Sequence, residues 1–389
     1  MIRSSLWTAV ILACAVTTPV AAQTPTTTQT PAQTPAPAPV PVTGTDPDFP
    51  RGRISGYVFG DFYYNVSGDP GHSYNASGTD TAKVNLDPTP YANGLPKVIG
   101  RDLNGFQIRR VYFQLDNDLS IKYSTRFRLE ADSKALTSDG KIGVFVKAAY
   151  IQAKNVIPRG NFLFGILTTS TFENSEEFWA YRSVEKTIAD YRGLSSSADL
   201  GAQMKGWVGD SHKIGYAVML GNGIGTKPED NRYKKAYVSL PLRPMEDLRI
   251  EPHVDYEWAP SGTDRATYKV FAGYEFKRAA LGAEVVDRVN HSTSGPNKEP
   301  FGFSVFGRWK PHPKLQAFGR YDRWQPNTRA ADRIDSDLWI AGFDWEPYKD
   351  VHFMPNIEAA QYTAKGAAIA PPHHDLQARL TLYYRFSKP

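Results

Sequence analysis

Period-two alternation carried over long segments constrains this chain most. Between Ile121 and Asp132, the residues Ile121, Tyr123, Thr125, Phe127, Leu129 and Ala131 fall on one side, and Lys122, Ser124, Arg126, Arg128, Glu130 and Asp132 on the other. Side chains alternate across a strand, so this segment reads as a strand with one apolar and one charged face. The pattern returns at 248–258, where Leu248, Ile250, Val254, Tyr256 and Trp258 oppose Arg249, Glu251, His253, Asp255 and Glu257. It returns again where Leu376, Leu380, Leu382, Tyr384 and Phe386 oppose Gln377, Arg379, Thr381 and Arg385. Strands of about 10 residues or more are long for a globular sheet and suit a tilted crossing of a bilayer.

Sixteen such segments can be laid along the chain: 53–65, 105–117, 120–132, 143–154, 160–171, 200–209, 212–221, 232–242, 247–258, 265–276, 279–289, 301–310, 314–324, 338–346, 351–362 and 375–386. Alternation is weakest at 143–154 and 338–346. The connections alternate too. Tight turns such as 117–119, 209–211 and 277–278 take turns with longer loops such as 66–104, 172–199 and 325–337. Short turns at one end and long loops at the other are the arrangement of a transmembrane β-barrel. The expected fold is therefore an all-β, antiparallel transmembrane barrel of about 16 strands over 51–389, with a long loop folded into its lumen.

The first residues agree with export. Arg3, the apolar run Leu6 to Val16 and the small residues Val20-Ala21-Ala22 predict a signal peptide over 1–22. That run is too short to span a membrane as a helix, which needs about 20 residues. Cys14 is the only cysteine and lies within the signal, so the expected mature chain has no disulfide and no thiolate metal site. Residues 23–50 are rich in Thr, Pro and Ala, with Pro35-Ala36-Pro37-Ala38-Pro39 favouring extended geometry, and predict a periplasmic tether. A net charge of +5 with interleaved signs shows no nucleic-acid footprint. Trp207, Trp258, Trp309, Trp339 and Trp345 sit in predicted strands, as an interfacial aromatic belt requires, although parity allows Trp207 to face inward.

Several fragments, taken in order, resemble the phosphate-selective porin O and P family. They are Gly56-Tyr57-Val58-Phe59-Gly60-Asp61, Gly105-Phe106-Gln107-Ile108-Arg109-Arg110-Val111, and Phe164-Gly165-Ile166-Leu167-Thr168-Thr169 running on to Phe172-Glu173. Arg192-Gly193-Leu194, Ala198-Asp199-Leu200-Gly201, Gly221-Asn222-Gly223 and Met354-Pro355-Asn356-Ile357-Glu358 continue the likeness across most of 53–389. The resemblance implies a sixteen-stranded barrel, usually a homotrimer, with a loop entering the pore. It does not carry phosphate selectivity here, because the loop mixes Arg182, Lys186 and Arg192 with Glu173, Glu176, Glu177, Glu185, Asp190 and Asp199.

The candidate constriction is 172–199, with Glu176, Glu177, Arg182, Glu185 and Lys186 in the solute path and a short helix expected over Ser175 to Ala189. The rival is 66–104, rich in Gly, Pro, Asn and Asp. Parity predicts lumen-facing Lys122, Arg126, Arg128, Glu130, Asp132, Arg249, Glu251, Asp255, Arg308, Arg320, Asp322 and Arg379. Mixed signs along single strands point to a weakly selective pore lined by ion pairs. An anion-selective lumen is the alternative, since Arg126 and Arg128 adjoin Arg109 and Arg110 across the predicted hairpin.

No metal, cofactor or catalytic frame stands out. His373-His374 has the wrong spacing for a metal site, and Ser195-Ser196-Ser197 lacks a nucleophile-elbow frame. The expected function is passive diffusion of small hydrophilic solutes and ions, not enzymatic. An anion- or phosphate-selective pore, a barrel enzyme and a structural anchor are the alternatives. Expected partners are membrane lipid and lipopolysaccharide, the barrel assembly machinery and small solutes or anions, with no nucleic acid.

Overall fold

The computed structural model describes residues 48–69, 100–367 and 370–388. The expected signal over 1–22, the tether up to residue 47, and residues 70–99 of the first loop lie outside them. The strands are β1 (Arg51–Ser67), β2 (Asn104–Asp118), β3 (Tyr123–Leu136), β4 (Ile142–Ile157), β5 (Gly160–Thr168), β6 (Ala198–Val208), β7 (Ile214–Gly221), β8 (Lys235–Ser239), β9 (Leu242–Met245) and β10 (Leu248–Glu257). They continue as β11 (Arg265–Glu275), β12 (Ala279–Asn290), β13 (Phe301–His312), β14 (Leu315–Gln325), β15 (Arg333–Tyr348), β16 (Val351–Lys365) and β17 (Asp375–Lys388). Two short helices, α1 (Glu173–Trp179) and α2 (Ile188–Tyr191), interrupt the long β5–β6 connection.

Apart from β8 and β9, each strand pairs antiparallel with its sequence neighbours, and β17 pairs with β1 over Ile54↔Lys388 to Tyr64↔Ala378. The sheet therefore closes on itself and leaves no edge, which is the condition for strands to cross a bilayer. β8 and β9 both pair between β7 and β10, so the 17 segments make sixteen staves. The predicted strand 232–242 thus divides and runs further. Pro241, at the division, has no N–H to give to the ladder, although its carbonyl still accepts from Gly215 at 2.6 Å.

The barrel is inside-out in polarity. On β13 and β15, the outward Val305, Trp309 and Phe343 are 42%, 57% and 55% exposed, while inward Arg320 and Asp322 of β14 are at 4% and 0%. A water-soluble sheet would bury the apolar set. Trp258, Trp309, Trp339 and Trp345 all lie on the exposed face, with Tyr256 against Trp258 and Tyr321 against Trp339. Trp207 instead lines an interior hollow with Lys205 and Tyr216.

Register corrects three finer expectations. Arg126 and Arg128 lie opposite Asp116 and Gln114, and Arg110 lies opposite Asp132, so no arginine ladder forms across the β2–β3 hairpin. β3 starts at Tyr123, which leaves Lys122 exposed in the turn with its carbonyl accepting from Lys154. β15 begins at Arg333, earlier than alternation suggests, because Leu338 and Ile340 face inward between outward Trp339 and Ala341 and make it apolar on both sides.

Candidate functional site

The connection 169–197 is clasped at its base, where Thr169 N and Oγ1 donate to Ser197 O at 3.2 Å and Ser196 O at 2.6 Å. From there it reaches strands spread round the ring. Arg249 of β10 donates to Glu177 at 2.9 Å, and Arg308 of β13 to the Phe178 carbonyl. Arg320 of β14 donates to the Lys186 carbonyl. Arg379 of β17 and Arg109 of β2 both donate to Val184 O, at 3.4 and 2.5 Å. A segment touching the inward faces of β2, β10, β13, β14 and β17 at once lies within the ring of strands.

Apolar packing seats it. Phe178, Trp179, Tyr181 and Val184 form one buried cluster with Phe271, Phe306, Phe318, Leu338, Ile340 and Met354 of the wall. Burying side chains of this size stabilises by roughly 1.5–3 kcal/mol each. Two inward glycines make the room: a Cβ at Gly273 would stand 2.7 Å from the Phe178 ring, and one at Gly282 3.1 Å from it. The expected single helix over 175–189 is broken. α1 ends at Trp179, Ala180 takes a left-handed conformation (φ 65°), and α2 begins only at Ile188. Between them Tyr181 O closes one turn with Val184 N and Glu185 N, while Ser183 O and Val184 O accept from Arg109 and Lys186 O from Arg320.

The other side of the loop is charged. Arg182 lies 2.8 Å from Glu176 and 3.4 Å from Asp190, and Lys186 lies 3.4 Å from Asp190. Burial pushes the Glu176 carboxyl up to about 7; Asp190 adds repulsion and Arg182 opposes it. Burial would also raise Asp190, but Lys186, Arg182 and Arg110 outweigh it and hold that carboxyl below its ordinary value. Glu185 differs from its neighbours. It is buried, turned to the wall, and lies 3.4 Å from Arg109.

The wall facing this edge is ion-paired. Arg126 donates to Asp116 at 2.6 Å and Arg128 to Gln114 at 2.6 Å. Glu130 is held between Arg110 and Lys147, the latter at 3.1 Å. On the strands that seat the loop, Arg320 pairs with Asp322 and Glu251 with Lys269 at 3.0 Å, and further along Asp255 pairs with Lys235 at 3.0 Å. Hollows open on both sides of the loop. One, of about 250 Å³, lies toward the turn end against Glu173 and Asn174. Another, of about 400 Å³, lies toward the long-loop end against Arg192 and Leu194.

Solved structures similar to this one are outer-membrane barrels. The outer membrane channel DcaP of Acinetobacter baumannii is 13% identical with a TM-score of 0.60, over 88% of this chain and 99% of that one. The anion-selective porin from Comamonas acidovorans is 12% identical with a TM-score of 0.58, over 87% and 100%. The chain has the porin fold. The trimer form of OmpT from Vibrio cholerae is also similar, at 12% identity and a TM-score of 0.57 over 87% and 99%. At such identities the likeness extends to the fold. No family model and no curated protein matches the chain.

Within this porin fold, sequence reasoning named the charged loop residues but missed what holds them. The signal was present: strands 301–310 and 314–324 carry Phe306 and Phe318 at inward positions where charge was expected. It also missed a buried row on adjacent β8 and β10, where Ser239 Oγ lies 2.6 Å from His253 Nδ1 and His253 Nε2 3.5 Å from Asp255. Ser239 also donates to Ser170 O beneath the loop, and Asp255 is engaged by Lys235, so the row braces loop and wall. Ser195 and Ser197 accept from Lys235 and Lys147 at 3.0 and 2.9 Å. Among the described residues, no group of three or more His, Cys, Asp or Glu is placed to hold a metal.

Proposed function

We propose that the protein is an outer-membrane porin through which small hydrophilic solutes and ions diffuse passively, with 169–197 as its constriction. One observation carries the reading. The loop is docked by an apolar face to one side of an inside-out barrel, so its charged edge is turned to an ion-paired wall. A barrel built only as an anchor has no use for such an arrangement. Arg126 and Arg128 line the passage, with Glu130 buried behind them between Arg110 and Lys147 and with Glu176, Glu177, Arg182 and Lys186 on its loop side. Arg249, Arg308, Arg320 and Arg379 serve first as clamps on the loop. Lys122 lies at the turn-end mouth. The mixed signs support weak selectivity. Refolded protein in a planar bilayer should give stepwise conductance; well-folded protein that gives no steps would sink the reading.

A second reading, an anion-preferring pore of the O and P type, is favoured by the arginines that enter the lumen and by the likeness to an anion-selective porin. The trimer form of a similar barrel supports a homotrimer in the same membrane. Reversal potentials in a KCl gradient decide the selectivity, and cation preference would eliminate the anion reading.

A further inference from the structure

Charge is spread unevenly round the turn end of the barrel. The turns between β2 and β10 mix signs: Lys154 lies against Asp118, Arg159 against Asp210, and Arg243 is followed by Glu246 and Asp247. The turns between β11 and β16 do not. Lys277 and Arg278 join β11 to β12, Lys310 and Lys314 bracket the β13–β14 turn, and Lys349 lies between β15 and β16. The carboxylates near this arc are engaged elsewhere. Glu275 is taken by Arg249 and Arg308 at 3.4 Å each, Asp350 by Arg385 at 2.5 Å, and Glu346 accepts from the Asp350 N–H at 3.1 Å. Among the described residues, none of the five cations is ion-paired.

The three turns are tied side by side. The Lys310 N–H donates to Arg278 O at 2.7 Å, the Glu346 N–H to Lys314 O at 3.0 Å, and Lys314 Nζ to Pro347 O at 3.1 Å. Neighbouring strands stand about 4.8 Å apart, so successive turns set cations roughly every 10 Å along the rim. The same arc carries exposed aromatic side chains at this end: Phe276, Trp309, Trp345 and Tyr348. Such rings collect at the level of lipid headgroups, where the ring meets chains and its polar edge meets water. Within β2–β9 the one tryptophan, Trp207, lines the interior instead. Beyond the aromatics, the outward Val305 and Phe343 continue an apolar surface away from the rim.

We propose that the turns of β11–β16 form a binding surface for anionic phospholipid. The lipid phosphate meets Lys277, Arg278, Lys310, Lys314 and Lys349, while the acyl chains lie along Trp309, Trp345 and the apolar wall beyond them. Unpaired cations bordering an apolar outer face answer both halves of such a lipid, its charge and its chains. The surface needs the barrel alone and stands apart from the pore reading.

The test reconstitutes the folded full-length protein in phosphatidylcholine vesicles at low salt. Brominated-chain phosphatidylglycerol and, separately, brominated-chain phosphatidylcholine are added, and quenching of tryptophan fluorescence reports which lipid gathers at the protein. Phosphatidylglycerol should be preferred roughly tenfold or more. Lys277→Gln combined with Lys310→Gln should cut that preference by about fivefold or more, since one cation near an anionic surface contributes about that factor. Lys213→Gln, in the β6–β7 turn, should leave it unchanged. The readout is a ratio of two lipids on one protein, so a loss of folded material lowers both arms alike. Equal association of the two lipids, a preference that survives the double variant, or one lost as fully in Lys213→Gln would overturn the surface. Conductance does not enter the readout, so that failure leaves the pore reading untouched.

Discussion

Gly273 and Gly282 lie directly opposite each other on β11 and β12, and together they leave the hollow that the Phe178 ring fills. The width of the lumen is thus linked to two missing side chains. Gly282→Val should crowd the Phe306 ring, 2.6 Å from such a Cβ, together with Phe178 and so push Phe178 off the wall, since overpacking of this kind costs about 1–3 kcal/mol. The barrel should still fold, but 169–197 should become open to protease and the unitary conductance should change. Wild-type protease resistance in a folded Gly282→Val protein would count against the seat.

Arg109 serves several acceptors at once. It donates to Ser183 O and Val184 O and lies 3.5 Å from Asp61 and 3.4 Å from Glu185. Removing it leaves the buried Glu185 without its ion-pair partner, a change that costs about 3–5 kcal/mol. Arg109→Ala should therefore lower the urea midpoint strongly, whereas Arg53→Ala, at an exposed pair with Asp116, should change it by less than about 1 kcal/mol. Equal effects from the two would contradict the clamp.

Glu176 should make selectivity depend on pH near neutrality. Its carboxyl is raised from 4.5 to about 7, burial being the largest cause. The groups facing it are Arg182, Asp190 and Lys186 from the loop, with Arg110 of the wall acting on the same cluster. Between those two values the folded protein holds a proton that the unfolded chain has lost. This group's contribution to stability therefore falls as pH rises from 4.5 to about 7. As the pH rises on through about 7 the constriction gains a negative charge, so reversal potentials should move toward cations between about pH 6 and 8. Glu176→Gln should flatten that shift; an unchanged shift in the variant would assign the titration elsewhere.

Val305 tests which face meets lipid. It is outward on β13, opposite Ala283 and Tyr321. Val305→Arg should cost about 2–4 kcal/mol of folding free energy in bilayers if the position is near the midplane. Lys205→Arg, inward on β6, should be neutral. Comparable folding yields into vesicles for both would refute the assignment of faces.

Much of this was open to reading from the sequence because a strand's side-chain period is two and a barrel has only two faces. The strand 265–276 is found at Arg265–Glu275, and 375–386 at Asp375–Lys388. The parity that put Arg320 and Arg379 inward needed no tertiary information. Reading failed where a residue's role depends on a partner far along the chain. Arg308 is a lumen charge by parity, but its guanidinium is directed at the carbonyl of Phe178, 130 positions away. Nor does anything near Ser175 announce that the expected helix will break at Ala180.

Alternation and loop phase determine a closed barrel with apolar flanks and a polar lumen, because each is a local property of consecutive residues. The tertiary structure decided the rest: which inward positions are apolar to receive the loop, and which arginines are consumed in holding it. Those outcomes depend on register and on where a long loop lands. Both are set by close packing and hydrogen-bond satisfaction between segments a hundred or more residues apart, which the order of residues within any one strand does not record.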